Sequence, residues 1–175
     1  MNALIKFSSY SIFLLFFFGS LGCRESVSNS RATISTSNSD SLSVRPITEA
    51  ISPKFHASHE PKKKNAPFSD AVSAGNFLFL SGQIGMNHAT RELVPGGIAA
   101  ETKQALENIK SVLIHHQLQL DDVVKATVIL SDIDDFEAFN LIYSQYFPKK
   151  PARTTFAASG LARNARVEID VIAVK

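Results

Sequence analysis

Apolar and polar positions divide the chain into two unlike parts, and the recurring spacings that define elements begin near residue 66. Phe77-Leu78-Phe79-Leu80 is a short apolar run between the turn signal Gly75-Asn76 and Ser81-Gly82, and it predicts a strand. Ile98, Thr102, Ala105, Leu106, Ile109, Val112 and Leu113 recur at helical intervals, with Glu101, Lys103, Glu107 and Lys110 on the other side. The stretch 98–116 is therefore predicted to be an amphipathic helix. Val123 to Leu130 is rich in β-branched residues and predicts the next strand. Asp132 or Asp134 then caps a second helix through Phe136, Phe139, Tyr143 and Phe147, stopped by Pro148. Strands at 152–158 and 166–174 complete the chain.

This order places two helices on one face of a mixed sheet, an α+β sandwich of two layers. In the last strand Val167, Ile169 and Val171 form the stripe beneath the helices, while Glu168, Asp170, Ile172 and Val174 form the other. That second stripe is too apolar to face water. Lys125, Thr127 and Ile129 alternate in the same half-apolar way, so a further layer is needed, and a second copy of the chain is the simplest cover.

The first third lacks such periodicity. Met1 to Gly22 has a lysine near its start, an apolar run from Ile12 to Phe18, and small residues before Cys23, the layout of a secretory signal. The run is shorter than the roughly 20 residues that a spanning helix needs. Ser20-Leu21-Gly22-Cys23 resembles the bacterial lipobox, with Ser20 where an aliphatic residue is usual, so Cys23 is a candidate lipidation site; the alternative is an ordinary cleaved signal. A lipidated Cys23 would hold the protein at a membrane surface, periplasmic or on the cell exterior. The expected organisation is a signal peptide at 1–22, a Ser-rich disordered tether at 23–60, and a folded domain at 61–175.

Charge and metal-ligand chemistry remove several function classes. With 18 basic and 16 acidic residues, a net charge of +2 does not argue for nucleic-acid binding, and Lys62-Lys63-Lys64 reads as a solvated charge run. Cys23 is the one cysteine, so no intramolecular disulfide can form. His115-His116 lack metal-ligand spacing and read as surface residues, and neither a metal nor an organic cofactor is expected.

The candidate chemistry lies in Pro151-Ala152-Arg153-Thr154-Thr155-Phe156 and, fifteen positions after the arginine, Glu168. A planar guanidinium suits a substrate carboxylate, and a carboxylate can handle one water or one proton. A structural ion pair between neighbouring strands is the alternative reading of the same two residues.

Seven ordered blocks then carry a resemblance: Ala66-Pro67-Phe68-Ser69, Phe79-Leu80-Ser81-Gly82-Gln83-Ile84-Gly85, Gln104 to Lys110, Asp121 to Lys125, Asp135-Phe136 with Asn140, Pro151-Ala152-Arg153 and Val167-Glu168-Ile169. Over almost the whole domain the chain resembles the RidA/YjgF group of imine and enamine deaminases. The resemblance implies a chorismate-mutase-like fold, a homotrimer and ligand clefts between neighbouring subunits. It implies Arg153 as the clamp on the substrate carboxylate and Glu168 as the acid that positions or activates water, with Ser81, Gly82 and Asn140 lining the cleft. Phe68 stands where the family often has tyrosine, and Thr155 where some members have cysteine.

The implied activity is hydrolysis of 2-imino or enamino acids to 2-keto acids and ammonia. The alternative is a non-catalytic trimeric module that binds small carboxylates, toward which the missing hydroxyl at Phe68 and the export signal lean. Ribonuclease activity, attached to relatives, fits poorly with export and near-neutral charge.

Overall fold

The structure, a computed structural model, describes residues 51–175. The signal segment, Cys23 and the tether up to residue 50 lie outside the described residues.

The apolar runs become strands and helices close to the expected positions. Strand β1 is Lys54–His56, β2 Ala71–Ala74, β3 Phe77–Leu80, β4 Gln83–Ile84, β5 Met86–Asn87 and β6 Glu92–Leu93. Helix α1 (Gly97–His115), β7 (Val123–Leu130), α2 (Phe136–Tyr146), β8 (Ala152–Ala157) and β9 (Val167–Val174) follow. The main sheet runs β1-β2-β3-β9-β7-β8, with β4 also paired to β9. β7 and β8 are parallel and the other pairs antiparallel, so the sheet is mixed as expected.

The helices cover one face. Leu106, Ile109 and Leu113 of α1 and Phe139 of α2 are fully buried against Val128, Leu130, Val167, Ile169 and Val171. Complete burial of each such side chain stabilises the fold by about 1.5–3 kcal/mol. Glu101 departs from the expected polar face of α1: it is buried, and its Oε2 accepts a 2.8 Å hydrogen bond from the Arg166 backbone N–H. Neither candidate caps α2: its N-cap is Asp135, without a side-chain hydrogen bond, and Asp132 instead caps the 3-10 turn Ile133–Asp135 that leads into the helix, its Oδ1 accepting from the Asp134 N–H at 3.0 Å.

Two expectations need correction. The fold extends into the stretch read as tether: Lys54–His56 pairs with Ala71–Ser73, and Glu60 is buried among ion-pair partners. A three-residue edge strand with Phe55 exposed is held by its backbone ladder and leaves no hydrophobic period to read. The second correction concerns β8 and β9, which are not neighbours, because β7 lies between them. A structural ion pair on adjacent strands is thereby excluded for Arg153 and Glu168 within one chain.

The face away from the helices is as apolar as its sequence implied. Phe77, Phe79 and Phe156 are exposed there, and the strand register sets Phe79 beside Ile172 and Phe156 beside Ile129.

Candidate functional site

Glu168 and Arg153 occupy different clefts of the chain. Glu168 pairs across the sheet with Ile129 of β7 and Ile84 of β4, which places it on the face away from the helices between two aliphatic neighbours. Burial there, and then the charge of Asp170, push its carboxyl above the ordinary range. Its carboxylate rests on Gly82, where a Cβ would overlap Glu168 Oε1. The β3–β4 break at Gly82 thus opens the space that Glu168 fills. Gly82, Phe68 and Glu168 line one cleft of about 270 Å³. Ser81, expected in the same cleft, is not among the residues lining it, and its hydroxyl donates to the Ser69 carbonyl at 2.6 Å.

Arg153 registers with Ala126, a buried residue beneath the helices, and so points to the opposite side from Glu168. Its guanidinium stacks over Tyr143 at 4.6 Å and lies 5.5 and 5.6 Å from the Phe139 and Phe136 rings. Cation–π contact holds it in place without neutralising it, and among the described residues it forms no ion pair with a carboxylate. Burial raises the Tyr143 hydroxyl above its ordinary value, with Arg153 opposing. Arg153, Tyr143 and Asn140 line a second cleft of about 550 Å³. Thr155 shares the side of Arg153, and its Oγ1 is buried without a hydrogen-bond partner.

Within one chain, therefore, Arg153 does not bear on the ionisation of Glu168. Glu168 shifts upward, and no guanidinium is among the causes.

Residues that the motifs did not single out also line the Glu168 cleft: Lys63, His88, Arg91 and Arg163. Lys63, read as part of a solvated run, has its Nζ 3.1 Å from Glu60 Oε1 and 3.7 Å from Asp70 Oδ1. His88 Nδ1 is 2.8 Å from the same Glu60 oxygen, and burial lowers its pKa. His88 and Arg91 share the β5–β6 turn while Lys63 and Arg163 lie on two other segments, and spacing along the chain carried no signal for them. His115 is exposed and His116 half-buried; His116 packs edge-on to His56 at 4.6 Å and His115 stacks on His59 at 4.9 Å, joining the end of α1 to the segment 56–59.

Residues 58–175 match the family model described as Endoribonuclease L-PSP. Over 110 residues the chain is 46% identical to a goat (Capra hircus) protein named 2-iminobutanoate/2-iminopropanoate deaminase, covering 62% of this chain and 80% of that protein. Among solved structures, YyfA of Yersinia pestis, of the Rid protein family, superposes with a TM-score of 0.66 at 34% identity, over 71% of this chain and all of the other (100%). The YjgF gene product of E. coli gives a TM-score of 0.64 at 32% identity, over 70% and 98% of the two chains. The sheet order, the helices on one face, the Gly82–Glu168 contact and these similarities agree, and the chain belongs to the Endoribonuclease L-PSP family, to which its sequence blocks relate it through the RidA/YjgF group.

Proposed function

We propose that this protein is a hydrolytic deaminase that converts 2-imino and enamino acids to 2-keto acids and ammonia. The observation that carries this reading is the Glu168 carboxyl, half-buried against Gly82 in a small cleft, where burial raises its pKa above the ordinary carboxylate value. A group poised there can take a proton from an attacking water and deliver one to the departing nitrogen. Water adds to the imine carbon, the nitrogen gains a proton, and collapse of the adduct releases ammonia and leaves the keto acid. The goat relative's name supports the substrate class.

The active unit in this reading is a homotrimer. Arg153 lies on an edge strand without a carboxylate partner, and Glu168 lies in a cleft that lacks Arg153; a neighbouring subunit would bring the two together around one substrate. Arg153 would grip the α-carboxylate with two parallel hydrogen bonds, and Asn140 would accompany it. The exposed Phe77, Phe79 and Phe156 favour such cover, since a patch of this kind is stabilised by association. The signal layout and Cys23 support display outside the cytoplasm on a lipid anchor.

The test is hydrolysis of freshly generated 2-aminoacrylate and 2-iminobutanoate by the purified protein, followed by ammonia release above the spontaneous rate. No acceleration with either substrate overturns the reading. Phe68, which lines the cleft without a hydroxyl, favours a second reading, a carboxylate-binding module without turnover. It would show as keto-acid binding with no hydrolysis, and Phe68→Tyr is the variant that would restore activity.

A further inference from the structure

The Glu168 cleft carries more positive charge than the reaction uses. Lys63, Arg91 and Arg163 line it, and their charges are not equally compensated. Lys63 sits between Glu60 and Asp70 and also reaches Gln83 Oε1 at 3.4 Å. Arg91 approaches Glu60 Oε2 only to 3.8 Å, beyond hydrogen-bond range, and its buried Nη1 has no acceptor among the described residues. Arg163 forms no ion pair among the described residues, and its Nη1 donates to the Arg91 carbonyl at 3.3 Å. Lys63 and Arg91 are set against Glu60 and Asp70, and Arg163 shares the cleft with Glu168 without forming an ion pair with it.

The backbone adds an independent observation. Arg91 has φ of 66° and Arg163 φ of 59°, a left-handed conformation that glycine adopts freely and other L residues adopt at a cost. Gln117, Lys150 and Asn164 share that conformation, but Arg91 and Arg163 are the two such residues that line this cleft, on loops far apart in sequence. A guanidinium N–H without a hydrogen bond, beside a second guanidinium without an ion-pair partner among the described residues, suits a carboxylate better than a point charge would. The cleft has the room: about 270 Å³, against ~30 Å³ for one water in the liquid, exceeds what a three-carbon imino acid fills.

We propose that Arg91 and Arg163 form a subsite for a second acidic group at the far end of the substrate, making the protein selective for 2-imino dicarboxylates. This rests on the deaminase reading of the Glu168 site. The reaction class that supplies such substrates is the oxidation of acidic amino acids at their α-carbon.

The test compares, in the purified full-length protein, kcat/KM for 2-iminosuccinate and 2-iminoglutarate with that for 2-iminobutanoate. The dicarboxylates should be favoured about tenfold or more, the scale of one charge-assisted contact. Arg91→Gly and Arg163→Gly place glycine where the backbone already suits it, and each should reduce that ratio about tenfold. A wild-type ratio near one, or a ratio that neither variant moves, overturns the subsite while leaving the deaminase reading intact. Calorimetry with 2-oxoglutarate and 2-oxobutanoate reads the subsite without turnover. If no imine is hydrolysed yet 2-oxoglutarate binds at least tenfold more tightly, and both variants abolish the difference, the subsite stands and the deaminase reading falls. Equal affinity for the two keto acids overturns the subsite.

Discussion

Arg153 and Glu168 project from opposite faces of one sheet, with β7 between their strands. Sheet geometry allows no rotamer of either side chain to bring them together in one chain, because the strand between them blocks the path. If both act on one substrate, they belong to different subunits, and each can be tested separately.

Arg153→Lys should lower kcat/KM about 10- to 100-fold. An ammonium cannot make two parallel bonds to a carboxylate, and it stacks less well over Tyr143; a charge-assisted hydrogen bond is worth about 1.5–3 kcal/mol. Steady-state kinetics, with keto-acid affinity measured alongside, checks this. Unchanged values in both would remove Arg153 from the site.

Glu168→Gln should slow turnover by about 10²–10⁴ while keeping keto-acid binding, the range for loss of a general acid–base group. It should also make the protein more stable at neutral pH. Burial raises the Glu168 pKa above its unfolded value of about 4.3, so its favourable contribution is complete below that value and is lost as pH rises through the raised folded one. Glutamine does not titrate. Thermal melts should therefore show a higher Tm for the variant at pH 7 and no difference near pH 4; a lower Tm at pH 7 would point to an ion-pair role in the assembly.

Gly82→Ala should preserve the fold and lose activity. The added Cβ would meet Glu168 Oε1, with the carboxylate carbon at 2.9 Å, and the flexible side chain is the part that can move. A melt close to wild type with at least a tenfold loss in kcat is expected. Full activity would show that the position of Glu168 against this backbone is not needed for turnover.

Phe79→Asp should separate assembly from folding. Phe79 is 42% exposed on the uncovered face beside Ile172, so the charge is cheap in an isolated chain and costly in a subunit interface. Light scattering should find a wild-type trimer at micromolar concentration and a folded, inactive monomer for the variant. A wild type that is stable as a monomer would end the shared-cleft mechanism.

Cys23→Ala should move the protein out of the membrane fraction in fractionated cells, since the apolar run before it is shorter than a spanning helix requires. Undiminished membrane retention of this variant would favour an uncleaved signal anchor over a lipid.

The sequence by itself determined the elements whose burial repeats along the chain. The α1 stripe from Thr102 to Leu113, the β-branched run of β7 and the alternation of β9 read correctly because helix and strand periods are local properties. It also marked Glu168, Gly82 and Phe68, which share a cleft, through blocks that resemble a known family. Tertiary structure alone decided the rest. Strand order placed β7 between Arg153 and Glu168, and order in a sheet follows from how distant segments pair, which no local period records. The edge strand Lys54–His56 and the short β4, β5 and β6 are held by backbone hydrogen bonds, with too few residues to show an alternation. Lys63, His88, Arg91 and Arg163 carried no signal in the sequence until three loops folded against one another and set them along the wall of one cleft.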